Sequence, residues 1–354
     1  MMISNNAKIL LFGTNCASVV NNLAAGLKTQ GAQVKAMSFD FHRSSYNDFS
    51  NIHCLCTDNN PGPLKIIFYK LKGMVLLIKW LLWCDVVHVY GNLSTSAFWL
   101  ISKLAKHKFV TFVGSDIRVP DIELATNPYF KYAYHDEGYE YKNERFNRTP
   151  ELLQYLRSLN FKFIVWDVDI FINEAFLPYT RIVPHASTVN ADLTIQKDQE
   201  QVPVIVHSPT APIAKGTPFV MRSIEKLKQK GVALEFILLK NLPHKQYQEA
   251  LAQADIYLDQ FIWGAYGVAA QQALQMGKVV VNYLTPHRLS QYGPVCPIQH
   301  TLPDALDETL EKLIKNVKER QKIAASSKQY YLDMHEPSAV AGKMLKAYNE
   351  LASL

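Results

Sequence analysis

Residues 254–283, "ADIYLDQFIWGAYGVAAQQALQMGKVVVNY", predict a strand, a glycine-containing turn, a helix and a second strand. The apolar runs at the two ends have the length of strands, and the run between them has the length of a short helix. Such a unit joins two parallel strands through a crossover helix. Residues 254–283 therefore indicate an α/β domain with a parallel sheet.

The same alternation of strands and helices occurs elsewhere in the chain. It opens with a strand at 8–13, an amphipathic helix near 17–29 and a strand at 32–39, which is a Rossmann-like beginning. Further strands are expected at 85–90, 108–113, 161–172, 202–207 and 233–239, with helices near 94–106, 217–229 and 244–252. The pattern predicts an α/β protein built from two parallel sheets.

A polar linker at 188–201, "TVNADLTIQKDQEQ", divides these elements into two series. We expect a Rossmann-like N-terminal domain at 1–190 and a Rossmann-like C-terminal domain at 200–335. A C-terminal helix at 336–354 is expected to pack back on the N-terminal domain. The polar, tyrosine-rich residues 120–160 are expected to form an elaborated loop region. A chain of 354 residues suits two domains.

Composition excludes several classes of protein. With 48% hydrophobic and 19% charged residues, the chain has the material for buried sheets and is not disordered. The five cysteines lack metal-ligand spacing and are expected to be reduced thiols. The N-terminus does not resemble a secretory signal, so a cytoplasmic protein is expected.

Positive charge is concentrated in one stretch. Residues 61–110 contain seven lysines and one acid, Asp85, a difference that equals the net charge of +6. A helix within 61–84 would suit an anionic membrane surface, at the inner face of the cytoplasmic membrane. The alternative is a solvated face over an ordinary core helix. A nucleic-acid partner is not expected, because the lysines lack an arginine-rich or stacking pattern.

Ligands of open parallel sheets bind beyond the carboxyl ends of the strands, so the loops there are candidate sites. In the N-terminal half, Gly13 and Thr14 precede a helix whose N-terminus can bind an anion. Asp116 can act as a base or hold a sugar hydroxyl, and Arg118 can bind an anion, unless the two only fix their loop. His88 is either a core residue or a catalytic one.

Two loops of the C-terminal half carry further candidates. Lys215 precedes Gly216, with Thr217 and Pro218 at the expected cap and first positions of a helix, a combination that favours a diphosphate site over a surface lysine. Gly264 and Gly267 either let a ligand approach the backbone or form a tight packing turn.

These segments resemble the GT-B glycosyltransferases, particularly the family 4 branch of bacterial capsule and lipopolysaccharide gene clusters. Residues 254–283 look like that family's donor-site block, "AKGTPF" looks like its phosphate-binding lysine loop, and "DVVHVYG" with "FVGSDIR" looks like its acceptor-domain strands. The resemblance implies two Rossmann-like domains facing each other across a cleft. It also implies a nucleotide sugar held mainly by the second domain.

The activity that this resemblance implies is metal-independent hexosyl transfer, with retention, from a nucleoside diphosphate sugar to a surface-glycan or lipid-linked acceptor, without a cofactor. Its catalytic residues would be Asp116 and Lys215, and Arg118 and His88 would face the acceptor or the sugar. The donor-binding residues would be Gly13, Thr14, Lys215, Gly216, Thr217, Gln260, Tyr266, Gly267 and Gln272.

The sequence departs from the family at two positions, where Gly264 and Gln272 replace glutamates. An alternative is therefore a non-catalytic homologue that binds a sugar nucleotide or partners an active transferase. A sugar-nucleotide epimerase would need a cluster of carboxylates and histidines that is not found. Asp167 and Asp169 form the pair in "WDVD", but two domains of alternating strands and helices suit the metal-free fold, so no metal site is expected there.

Overall fold

The computed structural model describes residues 3, 6–38, 48–55, 62–143, 148–189, 202–240 and 242–354. Two compact units are present. The first contains Met1–Val119, Phe146–Ser187 and Glu336–Leu354, and the second contains Pro120–Arg145 and Thr188–His335. Most of the expected linker, and Cys56, lie outside the described residues.

The described residues form strands and helices in regular alternation. The strands are β1 (Lys8–Gly13), β2 (Gln33–Ser38), β3 (His53–Cys54), β4 (Val86–Tyr90), β5 (His107–Thr111), β6 (Lys162–Val165), β7 (Thr180–Ile182), β8 (Val204–His207), β9 (Glu235–Leu238), β10 (Ile256–Leu258), β11 (Val279–Asn282) and β12 (Gln299–His300). The helices are α1 (Val19–Thr29), α2 (Pro63–Trp83), α3 (Thr95–Leu104), α4 (Pro120–Thr126), α5 (Phe130–Tyr134), α6 (Thr149–Ser158), α7 (Pro212–Lys215), α8 (Thr217–Gln229), α9 (His244–Gln253), α10 (Val268–Gln275), α11 (Pro286–Tyr292), α12 (Leu306–Lys315), α13 (Val317–Met334) and α14 (Pro337–Ala352).

The sheet of the first unit is parallel, with the strand order β3-β2-β1-β4-β5-β6-β7. The chain moves from β1 to β2 on one side and later returns to β4 on the other side. The order therefore reverses between β1 and β4, and a crevice opens beyond their carboxyl ends. Gly13 and Tyr90 are paired at that point of the sheet.

The sheet of the second unit is also parallel, with the order β12-β11-β10-β8-β9. Here the direction reverses between β8 and β10. Residues from α8, α12 and α13 pack with these strands in a core that includes Ile205, Val220 and Leu310. The expected α/β class with two parallel, Rossmann-like sheets is confirmed.

Residues 120–160 are more regular than expected, because they form α4, α5 and α6. Pro120–Arg145, which we expected in the first domain, is grouped by its contacts with the second unit. The strand expected at 161–172 ends at Val165, so Asp167 and Asp169 follow it rather than alternate along it. The domain boundaries drawn from the sequence stay a prediction.

The C-terminal helix α14 belongs to the core of the first unit, where it packs against α1. The buried hydroxyl of Tyr348 lies 2.7 Å from Nδ1 of His88, and Nε2 of His88 lies 2.8 Å from the hydroxyl of Thr111. Both nitrogens of the buried imidazole are therefore paired. Burial lowers the pKa of His88 to about 3, so the ring is neutral.

We expect Tyr348→Phe to lower the free energy of unfolding by about 1–3 kcal/mol, because a buried nitrogen of His88 loses its partner. Urea denaturation measures the loss. The matched control is Tyr155→Phe, whose hydroxyl donates an exposed hydrogen bond to the carbonyl of Thr95. That substitution should cost less than about 0.5 kcal/mol. Equal losses in the two variants would contradict the role given to Tyr348.

Candidate functional site

The crevice of the second unit lies beyond β8 and β10, and the loops that follow these strands carry Lys215 and Asp259. The Nζ atom of Lys215 donates a hydrogen bond to Oδ1 of Asp259 at 3.3 Å. Both residues are buried, and Asp259 is fully so. A buried carboxylate needs a partner of opposite charge, and Lys215 provides it.

Asp259 also fixes the glycine turn that opens α10. Its second carboxylate oxygen, Oδ2, accepts a hydrogen bond of 2.7 Å from the backbone N–H of Gly267, the residue that caps this helix. One carboxylate thus holds the lysine loop and the glycine turn at the same edge of the sheet. The place of Asp259 directly after a strand is the sequence signal for a residue at this edge.

The side chain of Asn282, at the end of β11, fixes the turn between β10 and α10 through hydrogen bonds. Its Oδ1 accepts from the backbone N–H of Gln260, and its Nδ2 donates to the carbonyl of Ala265. The side chain of Gln260 donates to that same carbonyl. Gln260 therefore supports the turn from within. Asn282 was missed from the sequence, because the last residue of β11 has no motif of its own.

The lysine loop differs from the expected helix start. α7 ends at Lys215, Gly216 has a left-handed φ of +76°, and α8 begins at Thr217. A Cβ at Gly216 would lie 3.0 Å from Cβ of Phe261. The backbone conformation and the packing of the loop therefore account for this glycine without a ligand. Thr217 is not the cap, since Gly216 occupies that position.

The hydroxyl of Thr217 is used by a buried histidine. Nδ1 of His207 donates to the carbonyl of Leu258 at 2.8 Å, so Nε2 accepts from Thr217 at 3.0 Å. Burial and, to a smaller extent, the charge of Lys215 lower the pKa of His207 to about 4, although the hydrogen bond to Leu258 acts in the other direction. His207 is therefore a neutral link between β8, β10 and α8, and Lys215 carries the positive charge.

Gly264 lies in the turn between β10 and α10. Its φ is +66°, and a Cβ there would collide with Cγ2 of Thr285 and lie 3.1 Å from the Thr285 backbone nitrogen. The carbonyl of Gly264 accepts the N–H of Thr285 at 2.9 Å. Packing of the turn against Thr285 therefore leaves no room for a side chain at position 264.

The other donor candidates lie on α10 or close to it. Gln272 is buried on this helix. Tyr266 is fully buried, and its hydroxyl lies 3.1 Å from that of Tyr330 and 2.9 Å from Nε2 of His335. The structure thus brings Lys215 and Gly267 together through Asp259. The hydroxyl of Tyr266 instead contacts Tyr330 on α13 and His335 directly after that helix.

Tyrosine-rich residues within 120–143 pack with the lysine loop, a contact that the sequence did not predict. Both carboxylate oxygens of Glu140 accept backbone hydrogen bonds at the start of α7, from Ile213 at 2.9 Å and Ala214 at 3.1 Å. Asn127 donates to the carbonyl of Ile262 at 2.7 Å. Phe130 and Tyr139 pack in the same apolar cluster. Residues 120–143 therefore support the loop that presents Lys215.

In the first unit, side chains converge beyond β1, β4 and β5. Thr14 donates its N–H to the carbonyl of Tyr90 at 3.1 Å. A Cβ at Gly91 would lie 3.7 Å from Oγ1 of Thr14 and 3.8 Å from Oδ2 of Asp116. The structure thus brings the side chains of Thr14 and Asp116 close to the same point beside Gly91, at the crevice of this sheet.

The helix after Thr14 begins later than expected, at Val19. A short 3₁₀ turn at Cys16–Ser18 precedes it. Asp48 lies against this start, where Asn21 Nδ2 donates to its carboxylate at 2.9 Å. A carboxylate of the chain itself thus lies at the N-terminus that was expected to receive a ligand's anion.

Asp116 is held in a fixed position with an unusual proton affinity. Its Oδ1 accepts the backbone N–H groups of Val113 at 3.1 Å and Gly114 at 2.9 Å. Burial raises the pKa of Asp116 to about 6, although these hydrogen bonds and the charge of Arg118 favour ionisation. The buried Arg118 folds against Gly114. Asp116 can therefore exchange a proton near neutral pH.

The described residues contain no group of three or more His, Cys, Asp or Glu side chains able to hold a metal ion. No helix among those described is long and apolar enough to cross a membrane.

No family model and no curated protein matches the chain. Solved structures do match over almost the whole length. Sucrose-phosphate synthase from Thermosynechococcus elongatus superposes with a TM-score of 0.64 at 12% identity, over 98% of this chain and 99% of that one. HepE from Anabaena, solved with UDP-glucose, gives 0.58 at 12% identity, over 98% and 100%.

A putative UDP-N-acetylglucosamine 2-epimerase from Listeria monocytogenes gives a TM-score of 0.51 at 14% identity, over 97% of this chain and 95% of that one. At such identities the likeness concerns the fold alone. The chain therefore has the GT-B fold, with two Rossmann-like units.

The packing of Gly264 leads to a stability test. We expect Gly264→Ala to lower the free energy of unfolding by about 3 kcal/mol or more, since left-handed strain and a collision with Thr285 add together. Gly231→Ala is the matched control, because Gly231 has a similar φ of +70° and no neighbour within 4 Å. It should cost about 1 kcal/mol. Urea denaturation giving equal losses would refute the Thr285 contact.

The raised pKa of Asp116 predicts a pH dependence. The folded protein binds this proton more tightly than the unfolded chain does. The contribution of this proton to stability is therefore fully present below pH 3.8, and it is lost as the pH rises through about 6. Relative to Asp116→Asn, the wild type should become less stable across that interval. Denaturation at several pH values measures the difference.

The control for this pH series is Asp136→Asn, an exposed aspartate whose Oδ1 also accepts a backbone N–H. Its curve should run parallel to that of the wild type. Parallel curves for Asp116→Asn as well would show that burial does not raise the pKa of Asp116.

Proposed function

We propose that the protein is a glycosyltransferase that binds a nucleoside diphosphate sugar at the carboxyl edge of the second sheet. The observation that carries this proposal is the position of Lys215. Its buried ammonium lies beyond β8, next to the start of α8, where the helix dipole adds positive potential. A diphosphate is the nucleotide group that such a site favours.

Lys215 retains hydrogen-bonding capacity for a ligand. An ammonium has three N–H donors, and within the described residues one oxygen, Oδ1 of Asp259, accepts from it. Asp259 is the positioning residue, because it fixes the ammonium and the Gly267 turn together. Gly13, Thr14, Gly216, Thr217, Gln260, Tyr266 and Gln272 stay predictions as donor residues.

In the proposed reaction, the bond between the anomeric carbon and the diphosphate oxygen breaks. A bond forms from an acceptor hydroxyl oxygen to the same carbon. The nucleoside diphosphate leaves with the electron pair, and Lys215 stabilises its charge without a metal ion. The acceptor hydroxyl transfers its proton to the departing diphosphate oxygen. Retention of configuration is part of the proposal and rests on the family resemblance.

We place the acceptor, a surface glycan or a lipid-linked sugar, at the first unit. Asp116 is suited to contact a sugar hydroxyl, because its pKa of about 6 lets it accept a proton near neutral pH. Arg118 would face an anionic group of the acceptor or the sugar. For His88 the paired ring nitrogens favour a structural role. The proposed location is the cytoplasmic face of a membrane.

A second candidate is a GT-B protein that binds a sugar nucleotide without transferring the sugar. The geometry of Gly264 favours it, because position 264 cannot carry the glutamate of the family. Donor binding without hydrolysis or transfer of the sugar would select this candidate. Release of the nucleoside diphosphate would select the transferase.

The donor site is tested with charge-balanced variants. Lys215→Met alone would leave a buried carboxylate unpaired and cost several kcal/mol, so it is combined with Asp259→Asn. We expect the double variant to bind the nucleotide at least about tenfold more weakly than Asp259→Asn alone, which keeps the ammonium. Calorimetry and thermal shift with UDP, GDP, CMP and dTDP, without added metal, measure the binding.

UDP is tried first, since HepE was solved with UDP-glucose. Equal affinities of the double variant and of Asp259→Asn would remove Lys215 from the donor site. Binding of none of the four nucleotides to the wild type would overturn the proposed donor site altogether.

A further inference from the structure

Helix α2 exposes an apolar face on the outside of the first unit. Its inner face is formed by Gly73, Leu77 and Leu81, which are buried. The side chains opposite are largely exposed, including Leu64 at 82%, Val75 at 70% and Leu82 at 69%. The solvent-facing side of a surface helix normally carries polar residues, whereas that side of α2 carries apolar ones.

The exposed apolar residues form one continuous stripe. Leu64, Phe68, Leu71, Val75 and Leu82 are separated by three, four or seven positions. This spacing places them above one another on a single face of a helix. We call this set the outer stripe. Ile67 and Met74, at its border, are also exposed.

A row of lysines follows one edge of the outer stripe. Lys65, Lys72 and Lys79 are exposed and lie seven positions apart, so they share one side of α2, about 70° from the stripe. Residues 62–84 contain no Asp or Glu. The face therefore combines apolar side chains with a row of positively charged ones.

We infer that α2 binds an anionic lipid bilayer, lying in the plane of its surface with the outer stripe in the acyl region and the lysine row at the headgroups. The apolar stripe matches the acyl chains, and the lysines match anionic headgroups and can extend towards them. The inner face stays packed on the first unit, against α3 and β1. The helix therefore lies on the bilayer and does not span it.

A second copy of the chain fits this face less well. Joining two outer stripes would bury apolar surface, but it would also bring two lysine rows together without an acid on either helix. Anionic lipid, in contrast, offers negative charge to the lysine row. The neighbouring helix α3 exposes Trp99, with Nζ of Lys103 5.7 Å from the centre of its ring. Tryptophan and lysine are both common at membrane interfaces.

The test is sedimentation of the full chain with vesicles. The anionic vesicles contain phosphatidylcholine with about one third phosphatidylglycerol, and the neutral ones contain phosphatidylcholine alone. We expect binding to the anionic vesicles, weakened by salt. Lys65→Gln/Lys72→Gln/Lys79→Gln should reduce the binding at least about tenfold. Leu71→Gln/Val75→Gln should reduce it by a similar factor.

The matched control is Lys318→Gln/Lys322→Gln/Lys328→Gln, which removes the same charge from exposed positions of α13. It should bind like the wild type. Circular dichroism checks that each variant is folded. If the triple variants of α2 and α13 bound equally weakly, net charge alone would explain the binding, and the assignment to α2 would be overturned. Absence of wild-type binding to anionic vesicles would also overturn it.

Light scattering tests the alternative that a second copy of the chain covers the outer stripe. A wild-type dimer that Val75→Glu dissociates, without vesicle binding, would assign the outer stripe to a second copy and overturn the proposal. Vesicle binding requires neither donor nor turnover, so its failure and the failure of the proposed transferase are separate results.

Discussion

The fully buried carboxylate of Asp259 determines the arrangement of the second unit's carboxyl edge. It accepts the Gly267 N–H with one oxygen and the Lys215 ammonium with the other. A charge removed from water in this way is stable only while both donors stay in place. The loops after β8 and β10 are thereby coupled. Any ligand that draws on Lys215 must compete with, or complete, this set of hydrogen bonds.

Each unit contains a buried, neutral histidine whose pKa is lowered by burial, His88 in the first unit and His207 in the second. The two units differ in the charged group near the end of their strands. The second unit presents the ammonium of Lys215, paired with Asp259. The first unit presents Asp116, whose pKa burial raises to about 6. This division suits an anionic donor in one unit and a hydroxyl acceptor in the other.

The fold could be predicted because it rests on local patterns. Short apolar strands alternate with helical spacing, and this alternation was enough to predict two parallel sheets. The helix at 61–84 and its lysines were also visible in the sequence. Which side chains face outward became clear only when Leu77 and Leu81 were found buried on the opposite side.

The site could be predicted only in part, since its contacts join distant residues. Lys215 and Asp259 are 44 positions apart, and Glu140 reaches Ile213 over 73. No local signal links such pairs. Thr217 precedes a proline, as a cap residue often does, but Gly216 takes the cap in its left-handed conformation and the hydroxyl turns to His207. The predicted cap was wrong because the histidine offered a buried partner.

The contact between α14 and β4 has a consequence for synthesis. Tyr348 reaches His88 across 260 positions, so the first unit is completed by residues that leave the ribosome after the whole second unit. The second unit can reach its native packing while the earlier strands still lack their last helix. The order of completion is then the reverse of the order of translation. Loss of the C-terminal residues would damage the N-terminal unit first.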